Sequence, residues 1–296
     1  MVKEKTAMSF KAPGKINLTL DVVRRRDDGY HEVKMIMQTV DLHDVITLTA
    51  LEPGIERIVV ETDNDTLPTD ENNLVYKAAK LLMDEFHINQ GIRITLEKNI
   101  PIAAGMAGGS SDAATVLCGI NEMFGLGLSK EELMERGVTI GADVPYCVMG
   151  KTALAEGIGE KLTSLKDAPR CFVLLAKPDI DVSTKFVYEN LHANELKYHP
   201  DVDKMIERIE ADDLDGVCQV MGNVLETVTI PAYPVIEEIK NIMKENGAVN
   251  AMMSGSGPTV FGIYDSREKA EAAYRVLEDR NKRTKDLAKL VVTTLV

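Results

Sequence analysis

Between residues 92 and 124 the hydrophobic period of the chain changes from two to about 3.6, and it does so across one glycine-rich stretch. Ile92, Ile94 and Leu96 alternate with Arg93, Thr95 and Glu97, which predicts a strand. Ala113, Val116, Leu117, Ile120, Met123 and Phe124 recur at helical spacing. PIAAGMAGGSSDAA (Pro101–Ala114) lies between them. A strand, a glycine turn and a helix in that order restrict the chain to folds that mix the two kinds of element. The order also builds an anion site. Glycine lets a backbone approach a ligand with no Cβ in the way, and a helix start offers unpaired N–H groups at the positive end of the macrodipole. Gly105, Gly108 and Gly109 supply the bend; Ser110 and Ser111 can cap the helix or turn their hydroxyls toward phosphate oxygens or a metal. The same stretch also reads as a plain connection whose serine is only an N-cap. Neither GxxxxGK[ST] nor GxGxxG is present, so no standard nucleotide fingerprint decides between the two.

The rest of the chain has the same mixed character. From Lys15 to Val22, apolar Ile16, Leu18, Leu20 and Val22 alternate with Lys15, Asn17, Thr19 and Asp21, predicting a half-buried strand with Lys15 and Asn17 on its exposed face. Met35–Val40 and Val45–Leu51 read as two further strands, and Ile58 and Val60 hint at another. Asn72 or Asn73 caps a helix whose stripe is Leu74, Val75, Ala78, Leu81, Leu82 and Phe86. In the C-terminal half, the buried strand Cys171–Ala176 precedes helical patterns near 183–191, 203–209 and 214–225. The helix of PVIEEIKNIMKENG has Pro234 at its start and Gly247 past its end. Strands at Val249–Met253 and Thr259–Tyr264, a helix over Arg267–Asn281 and a last strand over Lys289–Leu295 complete a β, helices, β, β, α, β order. That order suits a split βαβ sandwich of the ferredoxin kind.

Charge narrows the partners. Of 296 residues, 47 are acidic and 34 are Lys or Arg, a net charge of -13, so the chain lacks the basic field that nucleic acid or an anionic membrane surface requires. Any phosphate must be held locally. Cys118, Cys147, Cys171 and Cys218 are singletons with no CxxC pair, and the histidines form no ligand-spaced cluster, which argues for reduced thiols and against structural zinc. MVKEKTAMSF has neither the apolar core of a leader nor the Arg/Ser character of a transit peptide, and no apolar run nears the ~20 residues of a membrane span. The expectation is a cytoplasmic bacterial protein, with no nucleic acid or membrane partner, as a monomer or a homodimer.

PIAAGMAGGSSDAA resembles the second, ATP-binding motif of the GHMP kinases, Pro-x-x-x-Gly-Leu-Gly-Gly-Ser-Ser-x-Ala, with Met106 in place of the Leu and Ala107 in place of a Gly. Met fills a similar volume, and Ala is tolerated if its φ is negative. APGKINLTLDV (Ala12–Val22) resembles the family's first motif and MSGSGPTVFGIY its third. RRRDDGYHEV, MQTVDLHD and GADVPYCVMG resemble the member of the family that phosphorylates a cytidine diphosphate sugar alcohol. The matches run from residue 12 to residue 264.

The resemblance implies an α+β, two-domain GHMP kinase fold. Its N-terminal domain is like domain 2 of ribosomal protein S5, and its C-terminal domain is a ferredoxin-like α/β sandwich. Residues 1–160 would form the ATP-binding domain with the glycine-rich phosphate loop, and 161–296 a C-terminal domain contributing to the substrate site. ATP is the implied co-substrate, with Mg2+ expected, and Ser111 and Asp143 are its candidate protein ligands beside phosphate and water oxygens. Asp143 falls at the catalytic acidic position, Lys15 at that of the lysine contacting Asp and phosphate, and Asn17 near the substrate. Pro101, Gly105, Ala107, Gly108, Gly109, Ser110 and Ser111 would hold the nucleotide phosphates, with Asn73 and Lys98 lining the adenosine pocket. Tyr30 and His31 fall at the cytosine-recognising positions, and Tyr188 supplies a second stacking face for which Phe186 competes. Plainer readings stand beside these: Asp143 as a turn or cap residue before Val144-Pro145, Lys15 as a solvated strand lysine, Tyr30-His31 as a turn with a packed ring, and SGSGP (Ser254–Pro258) as a hairpin. Two other functions also remain: a homoserine- or mevalonate-type kinase, for which a cytidine stacker has no use, and a non-catalytic ligand-binding regulator, which need not keep Lys15 and Asp143.

Overall fold

The segment from His31 to Ala50 contains no Gly or Pro, and in the computed structural model, which describes residues 7–52 and 57–296, it forms one strand rather than the two expected. Residues 1–6, part of the segment read above for a leader, lie outside the described residues. In chain order the elements are β1 (Ala7–Arg25), β2 (His31–Ala50), β3 (Ile58–Thr62), α1 (Leu74–Glu85), β4 (Ile92–Glu97), α2 (Gly108–Phe124), α3 (Lys130–Gly137), α4 (Val144–Met149), β5 (Thr152–Gly157), β6 (Lys161–Ser164) and β7 (Phe172–Pro178). They continue as α5 (Thr184–Asn190), α6 (Val202–Glu210), α7 (Leu214–Val220), β8 (Gly222–Asn223), α8 (Glu226–Ala232), α9 (Val235–Glu245), β9 (Asn250–Met253), β10 (Val260–Tyr264), α10 (Arg267–Thr284) and β11 (Leu287–Thr294). The chain is α+β.

Two compact units are assembled from these elements, each from several chain segments. The first comprises Met1–Gly14, Leu42–Ile100 and Ala107–Met149; the second comprises Lys15–Asp41, Pro101–Met106 and Gly150–Val296. In the first unit the strand order is β3-β4-β2-β1. The second half of β2 runs antiparallel to β4 from Val45 opposite Glu97 to Ala50 opposite Ile92, while β3 joins β4 in parallel. Its core packs Val75, Ala78 and Leu82 of α1 against Ala113, Val116, Leu117 and Ile120 of α2, over Ile46, Leu48, Ile92 and Ile94 of the sheet. The α2 stripe read from the sequence faces inward, whereas on α1 Val75, Ala78 and Leu82 do so together with Ala79 and Met83, and Leu81 is only half-buried. Asn73 caps α1 by accepting from Val75 N at 3.1 Å, and Ser129 with Glu132 forms a capping box on α3.

In the second unit the first half of β2 pairs with β5, and the order is β6-β5-β2-β1-β8; a separate antiparallel sheet has the order β11-β7-β10-β9, with α9 and α10 packed on it. β1 departs from the half-buried strand expected: from Gly14 to Val22 every residue is buried, on both faces. Polar residues tolerate this because each finds a partner. Lys15 Nζ donates to Asn17 Oδ1 at 2.9 Å, Thr19 Oγ1 reaches the Gly222 carbonyl at 3.3 Å, and Asp21 meets His199 Nδ1 at 2.8 Å. The single helix expected over 214–225 is also divided. It ends at Val220, and residues 222–223 pair in parallel with Thr19 and Leu20. Asn223 is the reason: its buried side chain accepts from Leu225 N at 3.0 Å, a local bond that competes with helix propagation.

Candidate active site

α2 begins without a side-chain cap. Its N-cap is Ala107, and no side-chain hydrogen bond closes the first turn. The leading N–H groups of a helix have no intrahelical acceptor, so those of Gly108, Gly109 and Ser110 are left for a ligand at the positive end of a 17-residue helix. Ala107 itself has φ 55 and ψ 30. The condition set above for its replacing glycine, a negative φ, is therefore not met. The left-handed conformation turns the chain into α2, and alanine holds it at a cost of about 1–2 kcal/mol relative to the right-handed regions. Ser111 is buried and donates its hydroxyl proton to the Pro13 carbonyl at 2.7 Å, which leaves only the oxygen lone pairs for any further partner. Ser110 is half-buried, and Gly109 is exposed.

Lys98 lies at the end of β4, and its ammonium is buried between two carboxylates. It pairs with Asp44, and with Asp112 Oδ2 at 2.5 Å. Burial first, and the nearby Asp44 carboxylate, push the Asp112 carboxyl up to about 7, against the opposing pull of Lys98. Asn73 is likewise engaged, its amide donating to the Pro68 carbonyl at 2.7 Å while its oxygen caps α1. Asp143 is half-buried and immediately precedes α4, where its backbone carbonyl accepts from Cys147 N at 3.1 Å. Gly141, two residues before it, lies against the glycine-rich turn: a Cβ there would sit 3.8 Å from Ser110 Oγ. Ser110 and the segment leading to Asp143 are thus neighbours in the first unit.

In the second unit Lys15, Asn17 and Gly105 come together around Ser254–Pro258. Lys15, read as an exposed strand lysine, is only 6% exposed; its backbone N–H donates to the Met106 carbonyl at 3.1 Å. Gly105 has φ 69, and a Cβ on it would fall 2.3 Å from the Ser254 carbonyl oxygen, which makes glycine obligatory there. Ser254 Oγ donates to the Gly105 carbonyl at 2.9 Å. Gly255, at φ 56, lies so close that a Cβ would meet the Gly105 carbonyl at 3.2 Å and Asn17 Oδ1 at 3.6 Å. Gly105 and the SGSGP turn are thereby part of one arrangement, and SGSGP is more than a hairpin.

Tyr30 ends the turn after β1 and is 61% exposed, while His31 begins β2 with its Nε2 buried and without a hydrogen-bond partner. The Tyr188 ring of α5 lies 5.2 Å from the imidazole, centroid to centroid, tilted by 43°. Phe186, its competitor, is 40% exposed. Desolvation first, then Arg25, lower the His31 pKa, so the imidazole is neutral near pH 7. A neutral ring with one idle buried nitrogen suits hydrogen bonding to a base edge.

The family models for the GHMP kinases N terminal domain and the GHMP kinases C terminal match residues 73–151 and 200–283. The 4-diphosphocytidyl-2-C-methyl-D-erythritol kinase of Lachnospira eligens is 54% identical over 288 residues, covering 97% of this chain and 98% of that one. The chain belongs to the 4-diphosphocytidyl-2-C-methyl-D-erythritol kinase family. The kinase of that name from Caldicellulosiruptor bescii is 50% identical over 270 residues, 91% of this chain and 94% of its own. A crystal structure of 4-(cytidine 5'-diphospho)-2C-methyl-D-erythritol kinase superposes with a TM-score of 0.82 at 30% identity, covering 97% of this chain and 99% of its own. Homoserine kinase from Cytophaga hutchinsonii shares the fold, with a TM-score of 0.78 at 19% identity over 100% of this chain and 96% of its own.

The chain is therefore an ATP-dependent small-molecule kinase of the 4-diphosphocytidyl-2-C-methyl-D-erythritol kinase family, on a GHMP kinase fold. For the Mg2+ that such kinases imply, the donor set in this family member is sparse: among the described residues no group of three His, Cys, Asp or Glu side chains could hold a metal ion. The Ser111 hydroxyl gives its proton to Pro13 and keeps its oxygen lone pairs, so Ser111 and Asp143 both remain candidate ligands. That fits an ion held chiefly by phosphate and water oxygens, the habit of Mg2+. No helix among the described residues is long and apolar enough to cross a membrane. Cys171 and Cys218 are buried thiols pushed up to about 12 by desolvation, so they remain unreactive. Sequence reasoning missed Asn223, whose amide donates to the Met253 and Gly255 carbonyls at 2.9 and 2.8 Å and so shapes the SGSGP turn. A polar residue inside a helical pattern was the signal. It also missed the partners of Lys98, because Asp44 and Asp112 stand 54 and 14 residues from it in sequence.

Proposed function

We propose that this chain transfers the γ-phosphoryl group of ATP to the 2-hydroxyl of 4-diphosphocytidyl-2-C-methyl-D-erythritol, releasing ADP and the 2-phosphate, in the non-mevalonate isoprenoid pathway of the cytoplasm. The observation that carries this reading is the 54% identity, along 97% of the chain, to a kinase of that name. Phosphoryl transfer leaves the protein mainly positioning and charge stabilisation. The first-turn N–H groups Gly108–Ser110, behind the Ala107 turn, hold the nucleotide phosphates, with Pro101 and Gly105 shaping the loop, and Ser111 anchors the helix start through Pro13 rather than touching phosphate. Asn73 and Lys98 set the backbone of the adenosine pocket through their own hydrogen bonds. Lys15 offers a cation to the transferring phosphoryl group, and Asn17 orients the acceptor. The hydroxyl oxygen attacks the γ-phosphorus, the bond to the ADP oxygen breaks, and the hydroxyl proton passes to the Asp143 carboxylate. Mg2+, bound with ATP, neutralises charge on the phosphate oxygens. Tyr30, His31 and Tyr188 take the cytosine, the exposed Tyr30 by stacking and His31 by hydrogen bonding. In functional terms, residues 1–160 carry the ATP site and 161–296 contribute to the substrate site.

ADP release with the cytidylyl substrate, with mevalonate and with homoserine tests the assignment. Release is expected with the first alone. A higher kcat/KM with either of the others would assign a different acceptor, and no release with any of the three would favour the regulator. In the same assay Asp143→Asn is expected to lower kcat by about 10²–10⁴, the usual worth of a general base. A loss below about tenfold would exclude that role.

A further inference from the structure

The carboxylates of Asp44 and Asp112 have no part in the reaction just described, yet they are among the most buried charges in the first unit. Asp44 is fully buried and Asp112 is 2% exposed. Asp44 Oδ1 accepts the backbone N–H groups of Asn99 and Ile100 at 2.5 and 2.8 Å, immediately before the glycine-rich stretch. Asp112 stands in α2, immediately after that stretch. Lys98 Nζ bonds both carboxylates, so one ammonium ties together the two ends of the phosphate loop. The first residue of α2 rests on the same group: a Cβ on Gly108 would meet Ile100 Cγ2 at 3.1 Å and Asp44 Oδ2 at 3.7 Å.

Stability alone does not account for this cluster. Buried ions lose hydration that their mutual attraction barely repays, and an apolar trio of similar volume would serve as well. One lysine against two aspartates leaves a carboxylate in excess, and Asp112 Oδ1 is buried with no hydrogen-bond partner. What charged groups supply and apolar ones do not is direction, since each N–H and each oxygen must point at its partner.

We propose that Asp44 and Asp112 are positioning residues for the kinase reaction. Acting through Lys98, they lock the first turns of α2 to the Asn99–Ile100 backbone and so fix where the N–H groups of Gly108–Ser110 point. The proposal rests on the reading that this helix start holds the ATP phosphates. The full-length enzyme bearing Asp112→Ala is expected to show a roughly tenfold higher KM for ATP, as for loss of one charge-assisted bond, with the acceptor KM within about twofold of wild type. Asp112→Asn, whose amide oxygen still accepts from Lys98, is expected to restore the ATP KM to within about threefold. A merely structural role would lower the melting temperature and the active fraction while leaving both KM values alone. An ATP KM within twofold of wild type for folded Asp112→Ala, or an equal rise in both KM values, overturns the proposal. If that variant does not fold, Asp44→Asn carries the test, with about a threefold rise in ATP KM expected and no rise overturning it. Gly109→Asp separates the two readings by placing a carboxylate at the exposed first turn. An unchanged ATP KM there overturns the loop reading and the proposal with it. A raised one beside an unchanged Asp112→Ala overturns the proposal alone.

Discussion

Ala107 sits in a left-handed conformation that glycine adopts freely and an L-residue does not. Replacing it with glycine removes a penalty of about 1–2 kcal/mol and adds back about 0.5–1 kcal/mol of chain entropy. Ala107→Gly is therefore expected to stabilise the protein by roughly 0.5–1 kcal/mol, a rise of about 1–4 °C in melting temperature, with kcat unchanged. Thermal denaturation of both proteins measures this, and a variant melting at or below the wild-type temperature would refute it. That alanine is a change from the motif's glycine is plain in the sequence. Its φ is not, because the sign of a dihedral depends on how Met106 and Gly108 are held at either end. The same limit applied at Lys15 and Ser111, whose residue types indicate chemistry but not the neighbours that bury them.

At the scale of elements, the period of two in β4 and the helical spacing of α2 were both legible, because each face is set by local repetition of side-chain polarity. Long-range pairing was not. No feature of the sequence from Glu97 to Asp112 announces that Asp44, on a distant part of β2, closes the charge cluster. That cluster makes a pH prediction. Burial raises the Asp112 carboxyl from the usual range near 4 to about 7. Between those values the folded state binds more protons than the unfolded chain, so folding stability falls as pH rises through that window and levels off above it. Asp112→Asn abolishes this slope. Melting temperatures at pH 5 and pH 8 are expected to show the wild type losing ground to the variant as pH rises, and an equal offset at both values would exclude Asp112 as the source.

For the molecule as a whole, the two substrates predict separable effects. Tyr188 packs its ring beside His31, whereas Phe186 lies out on α5. Tyr188→Ala is expected to raise the KM for the cytidylyl substrate about tenfold, in line with the ~1–3 kcal/mol typical of base–aromatic stacking, and to leave the ATP KM unchanged. Phe186→Ala is expected to change neither by more than about twofold. Steady-state kinetics with each substrate varied in turn decides between them, and the reverse pattern would assign the stacking face to Phe186. The sequence around DIDVSTKFVYEN left this choice open because an aromatic at either position fits a helix. The fold resolves which ring meets His31 through the turn of α5 behind its Ser183 cap.

The amino-acid order alone determined the class of fold, which depends on local period and glycine placement, and it carried the motifs by which the chain resembles its family. Tertiary structure alone decided that β1 is buried on both faces, that Asn223 interrupts a helix to hold the SGSGP turn, that Lys98 is spoken for by two carboxylates, and that Ala107 is left-handed. Each of those depends on partners brought from far along the chain, and burial, dihedral sign and charge pairing exist only once those partners have met.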